Sequence, residues 1–294
     1  MNPNPLYLVD SSMYVFRAWF SMPKEFFDVE QNPTNAVQGF ARFLCELVER
    51  EKPERIVFAF DESLDANFRN GLYPAYKANR DPAPEELKVQ FDYCKRLCRA
   101  LGFQVLADGY FEADDLIGSA LTQARGEGRP SLILSADKDL SQLLGEHDEQ
   151  WDYAKNVRWR LPGVKAKHGV HAHQLADYLG LTGDAVDNIP GVPGIGPKTA
   201  ATLLSHFGSL DALLDRLEEL PYLRLRSAAI HARTLHEHRE MALLSRQLAT
   251  IRCDVPLPQD RPLGSRSASD GDQLQTLAER LRFGPLTRRR LLSL

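Results

Sequence analysis

The chain has 294 residues, 43% of them hydrophobic and 26% charged, which suits one large core, or a core with a small appended module. It contains no apolar run of about 18 residues, and Met1 to Pro5 lack the basic and apolar stretches of a signal peptide, so a cytoplasmic protein is expected. Its four cysteines form no CxxC pair and have no finger-like partner spacing, which argues against a disulfide framework and against zinc. His168, His171 and His173 cluster in a stretch that reads as a loop entering a helix, and are expected to be exposed.

Leu6 to Val9 form a short apolar run ending in Asp10, and Ser11-Ser12 then open a helical pattern. The same motif, a buried strand with an acid at its C-terminal edge, recurs where Arg55 to Phe60 end at Asp61 and where Ser131 to Ser135 run to Asp137. Phe103 to Leu106 form a fourth strand candidate, and helical spacing covers residues 34–51, 85–101 and 113–126. Alternating strands and helices imply a parallel α/β sheet, whose ligands gather beyond the C-terminal strand edges. Residues 62–84 break the rhythm with interleaved basic and aromatic side chains, among them Arg69, Tyr73, Tyr76, Lys77 and Arg80, and are expected to be functional. From about residue 170 onward the pattern is helical, residues 258–272 read as a flexible linker, and a short helix follows, ending in Arg288-Arg289-Arg290, which is expected to solvate that helix.

Nine acids fall at the expected loop edges: Asp10, Asp61, Glu112, Asp114, Asp115, Asp137, Asp139, Asp184 and Asp187. Glu112 and Asp115 are three apart near a helix start, as are Asp184 and Asp187, so each pair shares a face. Two like charges 4 Å apart repel by roughly 4 kcal/mol at an effective dielectric of about 20, so convergent carboxylates demand compensation. Oxygen-only ligands favour hard cations such as Mg²⁺ or Mn²⁺, and two of them about 4 Å apart suit phosphoryl transfer. Without these nine acids the chain of net charge −4 carries a positive balance, as expected of a basic body around an acidic pocket.

The run Gly194-Ile195-Gly196-Pro197-Lys198-Thr199 resembles a helix–hairpin–helix turn: its glycines let the backbone approach closely, the helix start offers free N–H groups to a phosphate, and Lys198 adds charge. Such a turn contacts backbone phosphates and positions DNA without reading its sequence. In the 62–84 segment, Lys77 and Arg80 can neutralise a scissile phosphate and Tyr76 can stack on an unpaired base.

These motifs together resemble the bacterial 5′–3′ exonuclease and flap endonuclease family, which includes the N-terminal nuclease domain of DNA polymerase I and stand-alone exonuclease IX-like proteins. The resemblance covers roughly residues 5–255 and is carried by Leu8-Val9-Asp10-Ser11-Ser12, Val57-Phe58-Ala59-Phe60-Asp61, Tyr76-Lys77-Ala78-Asn79-Arg80, Glu112-Ala113-Asp114-Asp115, Ser135-Ala136-Asp137-Lys138-Asp139 and the run from Gly183 to Ala200. It implies a PIN-like, Rossmann-like three-layer α/β nuclease core with a mostly parallel sheet over residues 1–170, bearing a helical arch at about 62–90. A helical module with the hairpin turn would follow over 171–257, and a linker and tail over 258–294. Asp10, Asp61, Glu112, Asp114 and Asp115 would serve a first metal region, and Asp137, Asp139, Asp184 and Asp187 a second. Asp115, Lys77 and Arg80 would be catalytic. A K⁺ ion would sit on Leu181, Thr182, Pro190, Val192 and Ile195, largely through carbonyls. Some stand-alone relatives lack acids of the second region; Asp184 and Asp187 are both present here, so a complete two-metal site is expected. No polymerase domain follows residue 294, so the chain is not expected to be an intact polymerase.

The implied reaction is Mg²⁺-dependent hydrolysis of DNA near a 5′ end or flap junction by a monomer. An RNase H-like nuclease acting on RNA–DNA hybrids and a non-catalytic binder of branched DNA are the rival readings. A small-molecule phosphatase would have no use for the hairpin turn.

Overall fold

The computed structural model describes residues 4–62, 67–223 and 225–294. Its strands are β1 (Leu6–Asp10), β2 (Arg55–Asp61), β3 (Gln104–Asp108), β4 (Ser131–Leu134), β5 (Glu149–Asp152) and β6 (Val157–Trp159). Helices α1 (Ser11–Ser21), α2 (Asn35–Glu51), α3 (Phe68–Leu72), α4 (Glu85–Ala100) and α5 (Ala113–Gly126) interleave with the first four strands. Next come α6 (Leu161–His168), α7 (Leu175–Thr182), α8 (Pro197–Phe207), α9 (Leu210–Asp215), α10 (Ala228–Glu237) and α11 (Arg239–Ala249), and the chain closes with α12 (Gly271–Arg280) and α13 (Pro285–Ser293).

The strands form one sheet in the order β3-β2-β1-β4-β5-β6, parallel except for the β5–β6 hairpin. Period-two alternation sends successive side chains to opposite faces. Leu6, Leu8, Val57, Ala59 and Ile133 pack against α5 and the helical module, whereas Val9, Ile56, Phe58, Phe60, Leu132 and Leu134 pack against α1, α2, α4 and the C-terminal helices. Three layers result, as the family resemblance implied. The first of these cores continues without a break into Leu175, Leu181, Val192, Ile195 and Leu203, so the helical region shares its apolar interior with the sheet. β1 lies between β2 and β4, so the chain's crossovers diverge on either side of it and leave a crevice at its C-terminal edge.

Two features depart from the sequence reading. The β5–β6 hairpin has no counterpart among the strands expected from the sequence: Gln150 and Trp151 are buried, but each strand is too short for alternation to stand out. Residues 258–270 run as a hydrogen-bonded strap rather than a flexible linker. Ile56 N–H donates to the Gly264 carbonyl (2.9 Å), Gly264 N–H to Gln104 Oε1 (2.7 Å), Ser267 N–H to Gly102 (2.9 Å) and Asp270 N–H to Ala100 (2.7 Å). Turn-rich composition signals irregular backbone, but whether that backbone has partners depends on what lies beneath it. In the terminal basic run, Arg288 pairs with Glu279 (3.1 Å) and Arg290 with Glu49 (2.7 Å). No helix among the described residues is long and apolar enough to cross a membrane.

Gly264 has φ +73°, and a Cβ there would lie 2.4 Å from Leu6 Cδ1 and 3.1 Å from Ile56 N. Gly264→Ala is therefore expected to destabilise the fold by more than about 2 kcal/mol, through left-handed strain plus a clash with core backbone. Denaturant unfolding checks this, and an unchanged midpoint would show that the strap is not anchored there.

Candidate metal centre and nucleic-acid interface

The acids are delivered by local structure. Asp10 ends β1 and caps α1, accepting from Met13 N–H (3.2 Å) and from Ser135 Oγ (2.8 Å), which follows β4. Asp61 ends β2 and accepts from Ala113 N–H (2.9 Å) at the start of α5. That start brings Glu112, Asp114 and Asp115 to the positive end of a helix. Asp137 accepts from Asp139 N–H (2.8 Å) in the turn after β4. Asp184 and Asp187 sit on a tight loop closed by reciprocal bonds between Asp184 and Ile189 (2.9 and 2.8 Å). The loop is possible because Gly183 and Gly191 cross: a Cβ on Gly191 would lie 2.2 Å from Gly183 N.

Eight of the nine acids share one electrostatic field. Burial raises the Asp10 carboxyl to about 7, with Asp61 and Asp137 adding to the shift against the bonds from Ser135 and Met13. Burial likewise raises Asp139 to about 7, with Asp137, Asp184 and Asp187 contributing. Asp114 is driven well up by burial and then by Asp137, Asp10 and Glu112, and Asp137 is raised by burial and by Asp187. No group of three among the described residues is already arranged to hold one ion. The protein's own cations compensate the charge instead. Lys77 pairs with Glu112 and lies 3.7 Å from Asp187, Arg80 pairs with Asp187, and Lys138 lies 2.6 Å from Asp184. Asp139 Oδ1 is buried without any hydrogen-bond partner. An all-oxygen set with an orphaned carboxylate oxygen fits a hard divalent cation.

Asp115 stands apart from the expected metal ligands. It is fully buried, and it accepts from Arg69 (2.7 and 2.8 Å), Glu112 N–H (3.1 Å) and Arg252 N–H (2.8 Å), so its oxygens are committed to the protein. Tyr76 also differs from expectation. Only 3% exposed, it packs on Leu179, Ile189 and Leu248, and its hydroxyl donates towards Glu112 (3.1 Å) and Asp187 (3.3 Å). Its ring is covered by these neighbours and offers no open face to an unpaired base.

The segment expected as an arch lies down on the acids. It is made of the five-residue α3, turns through residue 80 and an extended approach to α4; residues 63–66 of the expected arch lie outside the described residues. Lys77, at φ +55°, donates its N–H to the Asp187 carbonyl (2.9 Å), while Asn188 Nδ2 reaches Ala75 (2.6 Å) and Asn79 Nδ2 reaches Ala185 (2.8 Å). Arg69, expected only as one of several basic residues in a functional segment, and Lys138, given no role from the sequence, are central here. Position between two acids is the local signal for Lys138, and nothing local sets Arg69 apart from the other basic residues of its segment.

In the hairpin turn, Gly196 caps α8, Pro197 is its first residue, and Lys198 is exposed beside the half-buried Thr199. Gly194 (φ +78°) and Gly196 face open space. Ile195 instead anchors the turn: its side chain is buried and its N–H donates to Val192 (3.1 Å). Of the positions expected to hold K⁺, Leu181 accepts from Val192 N–H (2.8 Å), Thr182 Oγ1 donates to Tyr178 (3.0 Å), and Pro190 lies against Gly183 where the loop crosses.

A carboxyl whose folded pKa lies above its unfolded value stabilises the fold at low pH, and this contribution is lost as pH rises through the folded value. For Asp10 and Asp139 the window runs from the ordinary aspartate range to about 7. In chelator, the protein is expected to lose stability across that window, and Asp139→Asn should raise Tm at pH 8 by a few degrees but not at pH 4, since about 1 kcal/mol shifts a protein of this size by about 2–4 °C. Thermal unfolding at both pH values checks this; an equal shift at both would mean that charge repulsion is not the cause.

The chain is 38% identical over 291 residues to DNA polymerase I of Rhizobium leguminosarum, covering 97% of this chain and 28% of that protein. It is 34% identical over 254 residues to a 5′-3′ exonuclease of Buchnera aphidicola subsp. Schizaphis graminum, covering 86% of this chain and 88% of the relative. It thus spans under a third of the polymerase relative's length and most of the exonuclease's. Among solved structures, the fold matches the bacteriophage T5 D15 protein co-crystallised with metal ions at TM-score 0.71 and 19% identity, covering 98% of this chain and 97% of that one. It also matches the catalytic core of Rad2 in complex with a DNA substrate at TM-score 0.65 and 15% identity, covering 99% and 92%. Residues 5–169 match the model of the 5′-3′ exonuclease N-terminal resolvase-like domain, and residues 170–268 match that of the 5′-3′ exonuclease C-terminal SAM fold. The chain belongs to the 5′-3′ exonuclease family.

Proposed function

We propose that this protein hydrolyses phosphodiester bonds in DNA, as a 5′-3′ exonuclease and a 5′ flap endonuclease, acting as a cytoplasmic monomer in replication or repair. The observation that carries this reading is the convergence of carboxylates from β1, β2, α5, the turn after β4 and the 184–189 loop at one sheet edge, with Asp139 Oδ1 left unpartnered. Asp10, Asp61, Glu112, Asp114, Asp137, Asp139, Asp184 and Asp187 would hold two Mg²⁺ ions, for which Mn²⁺ could substitute. Bound there, such ions offset charge on the phosphate and favour deprotonation of an attacking water. DNA with 5′ flaps, 5′ overhangs or branches is the substrate class, and RNA–DNA hybrids are a secondary one.

The chain's own residues do the remaining work. Lys77 and Arg80 pair with Glu112 and Asp187, within reach of a phosphate held at the same acids. Exchanging those partners for a phosphate brings positive charge to the reacting group as its negative charge grows. Gly194, Gly196, Pro197, Lys198 and Thr199 would take a backbone phosphate at the start of α8, with Ile195 as the turn's apolar anchor. A K⁺ ion among the carbonyls of Leu181, Pro190, Val192 and Ile195, with Thr182 beside it, would join the turn to the duplex.

Two substitutions separate these roles on a 5′-labelled DNA flap in Mg²⁺. Lys77→Ala should lower kcat by about 10²–10³-fold with little change in KM. Lys198→Ala should weaken DNA binding evenly across sequences and reduce the salt slope of the affinity by about one, leaving kcat intact. Cleavage by neither wild type nor variants, despite flap binding in Ca²⁺, would leave a DNA-binding protein without nuclease activity.

A further inference from the structure

Arg69 is 2% exposed, and its guanidinium uses all five of its N–H donors. Nε donates to the Leu248 carbonyl (2.9 Å). Nη1 donates to Glu112 Oε2 (2.7 Å) and Asp115 Oδ2 (2.8 Å), and Nη2 to Asp115 Oδ1 (2.7 Å) and the Thr250 carbonyl (3.0 Å). Three parts of the chain therefore meet on one rigid fork: α3, the start of α5 and the end of α11. The chain leaving α11 adds Arg252 N–H to Asp115 (2.8 Å).

We propose that Arg69 is a positioning residue for the acid cluster, acting through Glu112, and that it ties the placement of this carboxylate to the docking of the helical module. The inference rests on the reading that these acids hold divalent cations. Glu112 has other donors, but Lys77 is partly exposed and Asn67 and Tyr76 are neutral. Arg69 is the buried charge, fixed by a bidentate partner and by two carbonyls that cannot move without moving α11. With Asp115 committed to this fork, its part is to hold Arg69 rather than to face an ion. Lysine has the charge but only three donors in a different geometry, so it cannot make the same five bonds.

The test is titration of Mn²⁺ into the DNA-free chain by calorimetry, with thermal unfolding in EDTA measured alongside. Loss of a group that orients a metal ligand weakens affinity by about 10–100-fold. Arg69→Lys is expected to bind Mn²⁺ at least about tenfold more weakly than wild type. Arg69→Met would leave Asp115 buried and unpaired, so it is paired with Asp115→Asn, and the double variant is compared with Asp115→Asn alone. The double variant also removes the donor to the Leu248 and Thr250 carbonyls, so it is expected to unfold somewhat below that reference but to remain folded at the assay temperature, and to bind Mn²⁺ about tenfold more weakly. Affinity within a few fold of the reference, in either folded variant, would reduce Arg69 to a packing residue and overturn the proposal. Asp137→Asn separates the two layers. If wild type binds Mn²⁺ and Asp137→Asn does not, the metal reading stands whatever Arg69 does. If neither binds, the metal reading fails and this inference fails with it.

Discussion

Repulsion among carboxylates at the C-terminal edge of a parallel sheet is the constraint around which the rest of the molecule is arranged. A chain gains nothing in stability by gathering them: burial raises Asp10 and Asp139 to about 7, and each neighbouring acid adds to the cost. The cluster persists because cationic side chains stand against it. Lys77, Arg80 and Lys138 pair with its rim, and Arg69 with its base. The fold around it has to be strong enough to hold what its centre opposes. Two apolar cores, one on each face of the sheet, supply that strength.

Two of the compensating cations, Lys77 and Arg80, come from the segment between α3 and α4. Residues 67–80 rest on the acids through Lys77 and Arg80 and on the 184–189 loop through backbone and amide contacts. Arg69 ties the start of the same segment down: its bonds to Asp115, Leu248 and Thr250 are buried and hold α3 against the base of the cluster.

The helical region and the sheet are also less separate than a division into two modules suggests. One core runs from Leu6 and Leu8 through α5 to Leu203 and Leu210. Asp184 and Asp187 belong to the helical region by sequence, yet Lys138 and Arg80 hold them against the sheet edge. Strap and C-terminal helices close the opposite side, where Gln38 Nε2 reaches the Leu281 carbonyl (2.9 Å) and Arg266 stacks on Phe103.

By itself the sequence determined the layered α/β architecture, the acids at strand ends and the glycine-rich turn before α8. Each is a local signal: β-type apolar runs, acids directly after them, and the glycines at 194 and 196 ahead of a Pro-Lys-Thr helix start. Tertiary structure alone decided which of these groups face one another. Asp114 and Asp115 are neighbours on one helix turn, yet one joins the acidic field and the other is bound to Arg69, because adjacent helical positions point about 100° apart. Tyr76 and Lys77 are likewise adjacent, one buried against Ile189 and Leu248 and the other paired with Glu112. Arg69 had no periodicity or spacing to mark it, since the four residues its guanidinium bonds lie 43 or more positions away and meet it only once the chain has folded.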